Sequence, residues 1–279
     1  MIDRAALTNA IQQMQPLPAS VTRLARIVAS ESSSLEEIQE VIQFDPILTG
    51  RLLRSANSAY SGSRRPIATV KDAVLRMGTG TVLALAVGSH VRETMMEACP
   101  GFGLAEGVLW RHGVAAALTV ELLQTHSHLA IPPESLTASL LHDVGKLVLY
   151  HQVPGVSARI LEAVGQGHAQ EAVEYSLLGF SHADVGEVLL ERWNLPVEIQ
   201  RAAARHHEPL CAGSPLTLHS IVAAADLTVN RMGITLLPPS NDPVPLEEIS
   251  TLAPLGLDGK EPHLLVNFQA EFDALRPFF

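Results

Sequence analysis

The chain has 279 residues with 19 Lys and Arg against 29 Asp and Glu, and the formal net charge of -10 argues against free nucleic acid as a partner. At 47% hydrophobic and 17% charged it can bury one or two full cores, which excludes a disordered chain. Aromatic residues are only 4% while Ala, Leu and Val recur, a balance that favours close-packed helices over a sheet rich in β-branched and aromatic side chains. The expected fold class is all-α. Cys99 and Cys211 lie far apart and show no C-x-x-C spacing, so neither a disulfide framework nor a thiolate metal cluster is expected. Asp3 and Arg4 interrupt the start of the chain, and no apolar run approaches the ~18 residues needed to span a bilayer. The expectation is a cytoplasmic protein with no membrane partner.

In chain order, Val21, Leu24, Ile27 and Val28 mark a first helical face. Ser34 with Glu37 forms a capping box before a second face of Ile38, Val41 and Ile42. Asp45-Pro46 pairs an N-cap with a proline at the first helical position and opens a helix carrying Ile47, Leu48, Leu52 and Leu53. A loop is expected at 60–66, a short helix at 69–77 stopped by Gly78, and a longer buried helix at 79–96. Leu83, Leu85 and Val87 lie on different faces of that helix, so it needs cover on every side. Cys99-Pro100-Gly101 marks the best boundary. Up to residue 100 the net charge is +1, and beyond it -11. The second half reads as helices at about 104–125, 134–142, 144–152, 155–165, 169–178, 182–193, 196–207 and 215–232. The expected organisation is therefore a helical lobe over 1–100, a second over 101–235, and a Pro-rich connector with C-terminal packing helices over 236–279.

Chemistry concentrates in the second half. The apolar run Leu140-Leu141 ends abruptly in His142-Asp143-Val144-Gly145-Lys146. Neighbouring helical residues point about 100° apart, so both ligands can reach one ion only where the helix distorts or ends, as Gly145 would permit. Alone, such a pair is as readily a hydrogen bond closing a helix. His112, His182, His206-His207 and Asp226 fall on other predicted helices, and each also has a bland reading as a satisfied core or terminal residue. Asp226 resists that reading best, because a carboxylate in an apolar run must be paired, neutral or metal-bound if buried. Adjacent residues diverge on a helix, so His206 and His207 can share an ion only if the helix ends there. Together His112, His142, Asp143 and Asp226 supply a donor set suited to Fe, Mn, Zn or Mg. No glycine-rich phosphate loop, Gly-x-Ser-x-Gly elbow or Cys-His nucleophile is present. Arg51, Arg54, Arg64 and Arg65 read as a solvated basic face.

The order His112, His142-Asp143, Asp226 resembles the H…HD…D pattern of the HD superfamily of metal-dependent phosphohydrolases, and His182 with His206-His207 resembles the second metal position of its HD-GYP branch. A closer match runs through LPASVTRLARIVAS, VIQFDPILTGRLLRSANSAYSG, LWRHGVAAA, LLHDVGKLVLY, LLGFSHADVGEVLLERWNLP and RHHEP, which resemble the HDOD family over most of the chain. That resemblance implies a helical signalling module related to HD enzymes, acting through a signalling protein partner without established hydrolysis. The HD pattern implies one or two divalent ions on His112, His142, Asp143, His182, His206, His207 and Asp226. On the competing enzyme reading, Asp143 and Lys146 are the catalytic residues and a phosphoester is the ligand. Two departures from HD-GYP stand out: Glu208-Pro209-Leu210 follows the histidine pair with no Gly-Tyr-Pro signature, and Val108 occupies the position of an acidic ligand.

Overall fold

The computed structural model describes residues 4–57, 66–126, 129–152, 154–209 and 216–236, with positions 268 and 272. Fourteen α-helices and one short 3-10 turn account for the elements there, and no named strand occurs among the described residues. The all-α expectation holds. The first six helices are α1 (Arg4–Gln13), α2 (Ala19–Val28), α3 (Leu35–Gln43), α4 (Pro46–Ala56), α5 (Val70–Met77) and α6 (Thr79–Met95). Local signals set their starts. Ser34 accepts from the Glu37 amide while Glu37 reaches back to Ser34, and Asp45 accepts from the amides of Ile47 and Leu48. The Arg51 guanidinium of the basic face donates to the Ser89 carbonyl at 2.8 Å, whereas Arg64 and Arg65 fall outside the described residues.

Every residue of α6 from Gly80 to Gly88 is buried, as its apolar circumference requires. Helix α2 covers one side of it and α8 (Ser135–Leu141) another. The main apolar core among the described residues runs from Leu7 through Leu83 and Phe102 to Leu141, Trp193, Phe268 and Phe272. The Cys99–Gly103 corner contains the 3-10 turn Pro100–Phe102, where Phe102 stacks on Tyr150 with ring centroids 3.6 Å apart.

The remaining helices are α7 (Val108–His126), α9 (Gly145–Gln152), α10 (Pro154–Gly165), α11 (Gln170–Leu178), α12 (His182–Arg192), α13 (Val197–Ala204) and α14 (Leu218–Arg231). Helices α7, α8, α13 and α14 pack about one another, and α12 closes the group against α9 and α13. Three boundaries differ from expectation by three residues or more, one of them the start of α14 at Leu218 rather than 215. Helix α7 starts at Val108 rather than near 104, because the Cys99–Leu104 bridge occupies the preceding chain. Helix α13 stops at Ala204 instead of reaching 207, leaving His206 and His207 in a turn. The expected connector at 238–245 and most of the C-terminal segment lie outside the described residues. Among the described residues, no single helix is long and apolar enough to cross a membrane.

Candidate metal centre

Five elements each deliver part of one buried cluster. Helix α8 ends at Leu141, so His142 and Asp143 leave the helix and turn toward the same interior point. His112 comes from α7, His182 from the first position of α12, His206 and His207 from the turn after α13, and Asp226 from α14. The α12 start is fixed by Ser181, whose hydroxyl accepts from Ala183 and Asp184, so one short segment supplies both a cap and an inward imidazole. Gly145 matters for space rather than for backbone freedom: its φ is not positive, and a Cβ there would run into the backbone of His182 and Gly186. The first turns of α9 and α12 therefore approach each other through a position only glycine can fill.

All seven expected metal ligands converge. Asp143 Oδ2 lies 3.4 Å from His142 Nε2 and 3.6 Å from His112 Nε2. Its Oδ1 lies 3.2 Å from His182 Nε2 and 3.6 Å from His206 Nε2. Asp226 Oδ1 sits 3.0 Å from His112 Nε2 and 3.4 Å from His142 Nε2. His207 Nε2 completes the far side, 2.9 Å from His182 Nε2. The donors fall into two groups of compatible spacing, one of His112, His142 and Asp226, the other of Asp143, His182, His206 and His207. Asp143 is placed between them, with one oxygen toward each. Because α13 ends before the histidine pair, His206 and His207 escape the divergence a helix would impose.

The outer hydrogen bonds define the protonation of the rings. Nδ1 of His112 donates to the Ile234 carbonyl at 2.7 Å, that of His142 to Ser139 at 2.7 Å, and that of His206 to Ala203 at 2.6 Å. His182 instead donates to the Glu174 carboxylate, with Nδ1 2.6 Å from Oε2. A carbonyl or carboxylate oxygen only accepts, so each Nδ1 carries a proton and each neutral ring turns its Nε2 lone pair inward. Four such lone pairs then face carboxylate oxygens, an arrangement that repels unless a cation or a proton lies between. His142 Nε2, His206 Nε2 and Asp143 Oδ1 are buried without any hydrogen-bond partner. The chemistry of the donor set and its orphaned atoms fit divalent metal ions.

Electrostatics respond to this crowding. Burial alone would depress the His142 imidazolium, but Asp143 and Asp226 outweigh it and hold its pKa up at about 10. Burial would likewise raise Asp226, yet His112 and His142 keep it well below the usual carboxylate range. His206 is pushed down by burial despite Asp143. His207 is lowered by burial and then by His206 and His182, although one edge of the residue reaches solvent. Lys146 places its ammonium 2.8 Å from Asp143 Oδ2, with the residue 5% exposed.

Sequence reasoning did not find Glu174. It is fully buried, yet it lies on α11 beside Glu171 in a pattern that reads as a solvated face. Its place eight residues before His182, across the Gly179 helix stop, is the sole sequence cue. Asn230 was also missed. Its amide donates to Asp226 Oδ1 at 2.8 Å, one helical turn on, which i,i+4 spacing allows.

Comparison with known proteins gives the same outline. A crystal structure of an HDOD domain protein of unknown function from Geobacter sulfurreducens aligns with TM-score 0.71 at 22% identity, covering 99% of each chain. One from Shewanella amazonensis SB2B, whose name only suggests a phosphohydrolase, aligns with TM-score 0.63 at 25% identity over 98% of this chain and 95% of that one. A third, from Marinobacter aquaeolei VT8, whose name only suggests a signal transduction protein, aligns with TM-score 0.66 at 20% identity over 99% of this chain and 65% of the other. An uncharacterized protein of Treponema pallidum is 23% identical over 232 residues, which is 81% of this chain but 44% of that protein, so the chain spans less than half of this curated relative. The family model of the HDOD domain matches residues 14–209, from just after α1 through the histidine pair, and the chain belongs to that family.

Proposed function

We propose that this chain is a signal-transduction module whose buried centre holds one or two divalent ions and whose outer helical surface is read by a protein partner, without robust catalysis. The observation that carries this reading is Lys146. It is the ammonium a phosphoester would need, and it is already paired with Asp143 at 2.8 Å inside the fold. Of the seven ligand candidates only His207 is exposed, so the cluster is built for retention of an ion more than for access by a substrate. His112, His142, Asp226 and one oxygen of Asp143 would hold one ion; the other oxygen with His182, His206 and His207 would hold a second. A divalent ion supplies positive charge between the carboxylates and Lewis acidity at the cavity.

A second reading, metal-dependent phosphohydrolysis of a nucleotide or phosphodiester, is favoured by the completeness of the convergent N/O donor set. One experiment separates the two. Protein purified without chelator is analysed for metal and assayed against phosphodiesters and nucleotides, with His142→Ala beside it. The module reading expects bound metal, negligible turnover and a His142→Ala variant that keeps its signalling output. Strong turnover that His142→Ala abolishes would overturn it in favour of the enzyme. Metal-free protein with no turnover would remove the ion from both readings and leave a buried polar network.

A further inference from the structure

Helix α11 has one buried residue among its nine, and that residue is a carboxylate. Glu174 accepts four hydrogen bonds: from the His182 amide at 2.8 Å, His182 Nδ1 at 2.6 Å, Gln170 Nε2 at 2.8 Å and the Tyr150 hydroxyl at 3.2 Å. Burying a charge is costly, and an apolar side chain would seat the helix at lower cost. The rings of His112, His142 and His206 are backed by neutral backbone carbonyls, whereas His182 has an anion behind it. A carboxylate behind an imidazole fixes its tautomer and orientation and makes the opposite nitrogen a stronger donor.

We infer that Glu174 is a positioning residue for the Asp143–His182–His206–His207 half of the cluster: it holds Nδ1–H of His182 so that Nε2 faces the ion, and thereby makes the two metal positions unequal. This inference rests on the proposed metal centre. The same carboxylate also ties α11 to α9 through Tyr150, so the side chain that orients the ligand also seats the helix.

The test is a Mn2+ titration of the full chain, with free Mn2+ followed by electron paramagnetic resonance, for wild type, Glu174→Gln and Asp226→Asn. Gln keeps the shape of Glu but removes its charge. Glu174→Gln should weaken one class of Mn2+ sites by about 10–100-fold and leave the other unchanged. Asp226→Asn should weaken the class that Glu174→Gln spares. Equal weakening of both classes by Glu174→Gln would mark a merely structural role and overturn the inference, as would no change in either. A wild type that binds no Mn2+ would instead overturn the metal centre itself, and this inference with it. Should Glu174→Gln fail to fold, 15N NMR of wild-type metal-free protein decides the matter. A proton on Nδ1 of His182 is expected, and a bare Nδ1 would refute the inference.

Discussion

Replacing Gly145 by alanine tests whether the two halves of the cluster are held by backbone contact between α9 and α12. An added Cβ would stand 3.0 Å from the Gly186 Cα and closer still to the His182 oxygen and the Gly186 nitrogen. Ordinary carbon contacts need about 3.5–4.0 Å, so the Gly186 Cα alone would drive α12 back by roughly 0.5–1 Å, and the tighter His182 oxygen requires more than that. All three atoms are backbone, so no side-chain rotation can relieve the clash. Overpacking of this kind costs about 1–3 kcal/mol. His182 sits at the first position of α12, and a retreat would widen its 3.2 Å approach to Asp143 Oδ1. The assay pairs urea unfolding with Mn2+ titration, and Gly50→Ala is the control. Gly50 lies mid-helix in α4 with nothing within 4 Å of an added Cβ. That change should stabilise by about 0.5–1 kcal/mol through lower unfolded-state entropy. If Gly145→Ala proves as stable as wild type and binds Mn2+ equally, the close approach has no part in building the site.

Asp45→Ala should cost about 1 kcal/mol, read as a shift in urea midpoint, because the carboxylate caps two amides of α4. The folded pKa of Asp45 is lowered chiefly by the Leu48 amide, against burial, with Ser20 and the Ile47 amide adding to it. Its charge-dependent share of stability is therefore present above the unfolded pKa near 3.8 and lost as pH falls through the lower folded value. The stability gap between wild type and Asp45→Asn should accordingly shrink below that pH. Phe102→Ala should cost about 3–5 kcal/mol by calorimetry, since the ring is fully buried and stacked on Tyr150.

Features set by neighbouring residues were legible in the sequence. The Ser34 capping box, the Asp45-Pro46 start and the buried circumference of α6 all follow from side chains within a few positions of one another. The seven candidate ligands were singled out for other reasons: a carboxylate inside an apolar run, such as Asp226, must answer to a partner, and the rest of the set came from the resemblance to the HD pattern. Less legible was anything that depends on long-range contact. The stop of α13 at Ala204 was missed because, after the opening Pro196, residues 197–207 carry no glycine or proline to end it. The space around Gly145 depends on α12, about forty residues away, and from sequence the glycine suggested freedom where the structure shows crowding. Glu174 was hidden because its three partners, Tyr150, Gln170 and His182, lie on α9, α11 and α12, while its own helix looks solvated.

Charge balance in the cluster gives the last prediction. Asp143, Asp226 and Glu174 are buried against the one ammonium of Lys146, which leaves two negative charges for protons or metal to balance. Without metal, protons take that role, and His142 with its pKa at about 10 carries one at neutral pH. A metal needs that same Nε2 lone pair, so binding must expel the proton. The sign follows. A raised folded pKa gives stability that is present below the unfolded value near 6.5 and lost as pH climbs through about 10. Metal-free protein should therefore lose stability across that window, while metal-loaded protein, balanced by the ion, should not. The increase in melting temperature on adding Mn2+ should grow from neutral pH toward pH 10. Titration calorimetry in two buffers of different ionisation enthalpy should report release of about one proton or more per ion at neutral pH. A metal-induced stabilisation that is flat with pH, together with no proton release, would mean that the inward nitrogens were already bare and that protons do not hold the empty cluster together.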